Sequence, residues 1–340
     1  MAVVKLAGGT SITLIGIVLN IFNIIILRNQ PLISVSIQLL IYLAYTDIAF
    51  LISRGIREPL RYWVGWVIEG DFVFRQKVRL YPRYRDYPEE IIYLRPDIYL
   101  SIDFLRYATH VSRNWLTVLI SVERFLSLAF PFYARTKITK LRILYANIVT
   151  SVITSCVYLP HVYGLAHYTD VTGYDVCTGR PVRGLLHTFN VWDRWKSVTS
   201  IYLSPAIKEV LPFTILIVLN IYIVGKVRQI SRNRKKLMSN SEFVDSVKAV
   251  RLTVAVSVIF LVFEFPSSFQ SYQKFLGLFV DLPKIRHYGA TKNAQRFFAE
   301  LFPISDSSAN FFIYCLVHDR FRRTAMTLIV NKIGYCFKRS

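Results

Sequence analysis

The chain is 340 residues long, 53% apolar and 15% aromatic, and carries a formal net charge of +21; its mean hydropathy is +0.38. That apolar content is too high for one soluble domain and predicts a protein that crosses a lipid bilayer repeatedly. The basic excess does not predict a nucleic-acid partner, because the Lys and Arg lie between apolar runs rather than on a soluble face interleaved with aromatics. Cys156, Cys177, Cys315 and Cys336 have no C-x-x-C spacing, so neither a disulfide framework nor a zinc site is indicated, and no metal or other cofactor is expected.

A membrane-crossing helix needs ~20 mostly apolar residues. Seven such segments follow in chain order, near 9–29, 34–56, 98–130, 141–164, 199–226, 248–273 and 294–317. The first is followed by Arg28-Asn29-Gln30-Pro31 and not by a small-residue cleavage site, which predicts a retained span. The segment 57–97 is long for a link between helices and holds eight Lys/Arg against seven Asp/Glu; it reads either as a variable surface loop or as a lid contacting a ligand. The segments 132–140 and 227–247 carry Arg135, Lys137, Lys140, Arg228, Arg232, Arg234, Lys235 and Lys236 against only Glu242 and Asp245. That bias marks them as cytoplasmic, and with seven spans it places the N-terminus outside. No internal repeat appears, which argues against a transporter built from matching halves.

Ionisable residues within a span face the bundle interior, where they mark a functional site or a structural pair. In the third span Asp103, Arg106, His110, Arg113 and Arg124, with Thr117 between the last two, recur at helical steps and form one stripe. Asp47, Lys208, Glu209, Glu264, Glu300 and Asp306 come from other spans, so both signs are available for pairing. Two readings stay open: structural ion pairs throughout, or an outer ligand group and an inner switch group.

Span one reads Gly16-Ile17-Val18-Leu19-Asn20, span two Leu43-Ala44-Tyr45-Thr46-Asp47, and span three ends Ser121-Val122-Glu123-Arg124-Phe125 with Pro131 following. Span five has Pro212, and span six has Phe263-Glu264-Phe265-Pro266. Span seven runs Asp306-Ser307-Ser308-Ala309-Asn310-Phe311-Phe312-Ile313-Tyr314, with Phe321-Arg322 beyond it. In this order the motifs resemble the rhodopsin-like (class A) G-protein-coupled receptors over nearly the whole chain. The span-seven form resembles the invertebrate FMRFamide-type neuropeptide receptors.

The resemblance implies an all-α, seven-helix bundle over 1–317, with a short amphipathic eighth helix and cytoplasmic tail over 318–340, in the plasma membrane. It implies a receptor for an extracellular peptide that activates a heterotrimeric G protein by outward movement of span six. Glu123, Arg124, Phe125, Asn310, Tyr314, Pro212 and Pro266 are then the switch residues. Arg124 is held by Glu123 at rest, Tyr314 swings toward Arg124 on activation, and Pro266 is the kink, since a mid-helix proline breaks a backbone bond. Leu316 to Ile333 reads as the surface helix, with Phe321, Ala325, Leu328 and Ile329 on one side and Arg320, Arg322 and Arg323 on the other. Cys336 after it is a position for palmitoylation.

The chain also departs from the family. Tyr99 stands where a cysteine normally pairs with the second extracellular loop, which leaves Cys177 without its expected partner. Glu264 replaces the usual tryptophan before Pro266, Phe311 replaces the second proline of span seven, and Asn220 stands where span five often has tyrosine. Relatives hold a sodium ion where this chain has Asp47, Arg113, Asp306, Ser308 and Asn310. Arg113 is expected to replace the ion, its planar fork bridging Asp47 and Asp306. Arg106 occupies the depth where amine receptors have an aspartate. Asp103, Arg106, Lys208, Glu264 and Glu300 are therefore expected to line a two-sign ligand pocket suited to a short peptide. The alternatives are mutual neutralisation, Arg106 with Asp103 or Glu264 with Lys208, and a receptor for a small environmental molecule.

Overall fold

The computed structural model describes residues 2–30, 34–77, 96–159, 168–174, 181–187, 203–234, 240–276 and 289–337. Within them α1 spans Ala2–Arg28, α2 Val35–Lys77, α3 Pro96–Ala129, α4 Pro131–Lys137 and α5 Lys140–Cys156. An antiparallel hairpin follows, β1 Tyr168–Tyr174 paired with β2 Pro181–His187, Tyr168 opposite His187. A π-helical turn, Ala206–Val210, opens the next span; it continues as α6, Leu211–Arg234, and then come α7, Asn240–Leu276, α8, Gly289–Val317, and α9, Asp319–Phe337.

All seven expected spans coincide with helices, so the helical bundle holds, and the hairpin is an addition that the apolar pattern did not signal. Spans one to four pack in succession, as do spans five to seven; α3 bridges α5 and α6, and α1 touches α8. Helix α3 sits at the centre, in contact with α2, α5, the π turn, α6 and α7. The main apolar core gathers Leu39, Leu43, Leu116, Ile120, Val256, Ile313 and Phe321 from five helices.

Among the described residues, four helical segments are long and apolar enough to cross a membrane: Gly9–Arg28, Val35–Ile56, Ala206–Gln229 and Arg251–Phe269, with Leu301–Val317 a shorter apolar stretch. Helix α3 misses that mark because its inward stripe is charged, and α5 because it is only 17 residues. Side chains such as Ile15, Val152, Val218, Ile221 and Val262 are exposed on the outside of the ring, the surface a bilayer covers.

Local chemistry fixes the breaks. The Ser34 hydroxyl accepts from the Ile37 amide at 3.3 Å at the start of α2, and the Thr139 hydroxyl from the Arg142 amide at 3.3 Å at the start of α5. Pro131 opens α4, where its missing N–H costs nothing. Pro212 has no N–H to offer the Lys208 carbonyl one turn back, and that carbonyl accepts instead from Asn114 Nδ2 at 2.8 Å. Trp115 Nε1 donates to the neighbouring Ile207 carbonyl at 3.0 Å, so α3 satisfies backbone that the π turn frees.

Two expectations change. The segment 57–97 is not all loop: α2 runs on to Lys77 and α3 begins at Pro96, while 78–95 lie outside the described residues. The helix expected over 316–333 is Asp319–Phe337, shifted because His318 breaks the path from α8 and its Nδ1 accepts the Phe321 amide at 3.0 Å. Phe321 is fully buried against the core, with Ala325 and Leu328 packed beside it, and Arg320, Arg322 and Arg323 are exposed. Cys177 and the side chains of Tyr99, Ile329 and Cys336 lie outside the described residues.

Candidate functional site

The centre of the bundle is occupied by Arg113, the largest fully buried side chain among the described residues, 1% exposed. One arm of its fork, Nη1, donates to the Pro303 carbonyl at 2.8 Å and to Ser307 Oγ at 2.6 Å, and lies 3.2 Å from Asp306 Oδ2, all on α8. The other arm, Nη2, forms a close ion pair with Glu264 Oε1 on α7. Glu264 Oε1 also meets His110 Nε2 at 3.1 Å, and Glu264 Oε2 accepts from Ser267 at 2.9 Å. The guanidinium lies 5.0 Å from the centre of Phe50 and 5.8 Å from that of Phe260, two cation–π contacts within the bundle.

This corrects the expected bridge between Asp47 and Asp306. Asp306 is a partner of Arg113, but Asp47 is held by Asn310 Nδ2 at 2.8 Å, and the second carboxylate on the fork is Glu264. The reason is reach: one arm points to α8 and the other to α7, while Asp47 comes from α2 and already has its donor. Glu264 is consequently not in an outer ligand pocket; it is 1% exposed at the core. Ser308 is also displaced, donating back to the Ile304 carbonyl at 3.0 Å and facing Gly16 on α1. Ser307 takes the place expected of it. The step Pro303, Ser307, Asn310, Tyr314 traces one face of a helix and is the signal that would have found it. The cleft bounded by Asp47, Arg113, Asp306 and Asn310 is too narrow for a water molecule.

Toward the N-terminal end of α3, Arg106 Nε pairs with Asp103 Oδ1 at 3.2 Å, and Tyr158 donates to Asp103 Oδ2 at 2.7 Å. Lys208 Nζ pairs with the neighbouring Glu209 at 2.6 Å, and Ser271 donates to the same carboxylate. The expected two-sign pocket is thus divided into separate neutralised pairs, Arg106 with Asp103 as one alternative had it, and Lys208 with Glu209 instead of Glu264. The side chain of Glu300 lies outside the described residues. Among the described residues no group of three His, Cys, Asp or Glu could hold a metal ion.

At the other end of α3, Arg124 Nε lies 3.4 Å from Glu123 Oε2 and donates to Thr253 Oγ1 on α7 at 3.2 Å. Glu123 is buried and fixed from two further sides, by Ser36 at 3.0 Å and Ser127 at 3.1 Å. Phe125 packs edge-on against Tyr222 of α6, ring centres 4.9 Å apart. Tyr314 is buried against Phe321 at 5.5 Å, with its hydroxyl unpaired in the described structure. Pro212 and Pro266 sit in the two helices flanking this end of the bundle.

No curated protein matches the chain. The family described as serpentine type 7TM GPCR chemoreceptor Srw matches residues 9–332, which runs from the first span through most of α9. That match names a chemoreceptor family rather than the FMRFamide-type neuropeptide receptors that the span-seven residues resemble. With a ring of helices around a charged third span, the chain belongs to the serpentine chemoreceptor Srw family of seven-transmembrane G-protein-coupled receptors.

Proposed function

We propose that this receptor is chemosensory, detecting a small extracellular molecule rather than a neuropeptide, with its N-terminus outside the plasma membrane and α4, α9 and the tail 318–340 in the cytoplasm. The observation that carries this reading is the internal pairing of the charges expected to grip a peptide: Asp103 with Arg106, Lys208 with Glu209, and Glu264 with Arg113. A ligand gains little from ionic contacts with groups already satisfied in the bundle, so an uncharged or weakly polar molecule fits best. The family's name supports the same class.

The signal then leaves through the Arg124 end. Ligand binding shifts a population in which α7, pivoting at Pro266, moves away from α3. Arg124 exchanges Glu123 and Thr253 for the G protein, and Tyr314 turns toward the space vacated. Helix α4 offers Phe132, 87% exposed beside the Arg124 end, as an apolar contact for the same partner. The deciding experiment expresses the chain with a promiscuous G-protein reporter and applies volatile and water-soluble small molecules in parallel with amidated and free peptides. Responses confined to peptides would overturn the small-molecule reading in favour of a neuropeptide receptor, and solute flux without G-protein signalling would overturn the receptor reading altogether.

A further inference from the structure

Five buried ionisable side chains meet at the centre of the bundle: Asp47 from α2, His110 and Arg113 from α3, Glu264 from α7 and Asp306 from α8. Glu264 is saturated, Oε1 by Arg113 and His110 and Oε2 by Ser267. The single charge of the guanidinium is therefore answered by Glu264, and Asp306 and Asp47 bring two further carboxyls. Asp306 shares the remaining Arg113 arm with Ser307 and the Pro303 carbonyl. Asp47 has Asn310 on Oδ2, while its Oδ1 is buried with no donor.

The neighbouring charges do not redress this balance among the described residues. Lys208 is paired with Glu209, which also takes Ser271. Arg124 pairs with Glu123 three turns further along α3, about 16 Å away. Arg54 is two turns along α2 from Asp47, roughly 10 Å. The Tyr314 hydroxyl is buried and neutral. An uncompensated buried carboxylate is too costly to persist, and the cleft beside Asp47 and Asp306 admits neither water nor a hydrated ion. A proton is the one cation that needs no room.

We infer that the Asp47–Asp306 pair is a proton-binding site, at least one of its two carboxyls being the neutral acid while the bundle is closed. The two aspartates titrate as a unit, so the proton belongs to the pair. Resting on the reading of α7 as the moving span, the consequence is proton-coupled signalling. When α7 carries Glu264 away, Arg113 turns its full charge on the pair, one carboxyl of which ionises and releases its proton. The two states of the receptor then differ by a bound proton, and their balance follows pH.

Infrared spectroscopy of the full chain in lipid nanodiscs tests the site without ligand or G protein, so its result is independent of the chemosensory reading. At neutral pH the folded receptor is expected to show the carbonyl stretch of a protonated carboxyl that shifts in heavy water. Incorporating carbon-isotope-labelled aspartate should move that band in the unmutated chain, and Asp47→Asn or Asp306→Asn should remove it. A folded receptor with no such band, or a band unmoved by labelled aspartate, overturns the inference. So does a band unchanged in both variants when each melts cooperatively.

Discussion

Arg113 and Glu264 tie the third span to the sixth by a buried ion pair placed two residues before Pro266, the position at which the sixth span can bend. On the proposed reading of α7 as the moving span, the attraction holds α7 against α3, and weakening it favours the swung-out state.

Removing one partner of a buried pair leaves the other charge stranded, which costs about 3–5 kcal/mol. Arg113→Ala, which strands Glu264 and Asp306 together, should therefore lower the melting temperature of the solubilised receptor sharply. Replacing Arg113 and Glu264 together by Met should recover only the part of the loss that comes from Glu264, since a packed apolar pair can match a buried salt bridge but Asp306 still loses its guanidinium. The milder Glu264→Gln is expected to raise ligand-independent signalling, measured as nucleotide exchange at matched surface expression. Basal exchange equal to that of the unmutated receptor would count against a locking role.

At the C-terminal end of α3, Glu123 is fixed by Ser36 and Ser127 and pairs with Arg124. Glu123→Gln should increase basal nucleotide exchange several-fold, because the ion pair gives way to a weaker contact between the guanidinium and a neutral amide. Arg124→Ala should abolish exchange while leaving surface expression intact. Exchange that survives Arg124→Ala would remove that residue from the switch.

With a guanidinium lodged between Glu264 and Asp306, a sodium ion has no place to act. The melting temperature of the receptor should be the same in sodium, potassium or N-methylglucamine salts at constant ionic strength. Arg113→Ser, which vacates the space and leaves the carboxylates, should make it sodium-dependent. A sodium effect on the unmutated chain, with none added by Arg113→Ser, is the contrary result.

Gly16 lets α1 approach α8 and α2. A Cβ there would collide with Ser308 Oγ and lie 2.9 Å from Leu51 Cδ1. Gly16→Val is expected to cost about 1–3 kcal/mol by overpacking, read as lower thermal stability and reduced surface expression. Combining it with Ser308→Gly should restore part of the loss.

His318 lies beyond the apolar stretch of α8, and burial first, then the neighbouring Arg320 charge, push its pKa below the usual histidine value. Neutral His318 accepts the Phe321 amide; the protonated ring cannot. The folded pKa is the lower one, so this cap's stability is present above the ordinary value of about 6.5 and is lost as pH falls through the folded pKa. Hydrogen exchange of the first turn of α9, corrected for intrinsic rates, should show protection that fades on acidification. His318→Asn, an acceptor at any pH, should keep protection level.

How much of this was legible beforehand differs from residue to residue. The seven spans and the charged stripe of α3 follow from apolar run length and helical spacing, both local properties of the chain. Glu123 beside Arg124 and the positions of Pro131, Pro212 and Pro266 were equally local. The hairpin of 168–187 was not, because its seven-residue strands fall between spans in a segment with no apolar pattern. The onward run of α2 to Lys77 was missed because its residues are too polar to extend an apolar span.

The partnerships of the buried charges lay furthest from the sequence. By itself it determined that Arg113, Glu264, Asp306 and Asp47 face inward, since a charge in a span has nowhere else to go. It could not decide which of them meet, because pairing across a bundle depends on the rotation and depth of four helices set by packing along their whole length. Only the tertiary structure places Glu264 on Arg113 and Asn310 on Asp47, taking Glu264 from an expected ligand pocket and setting it in the lock between α3 and α7.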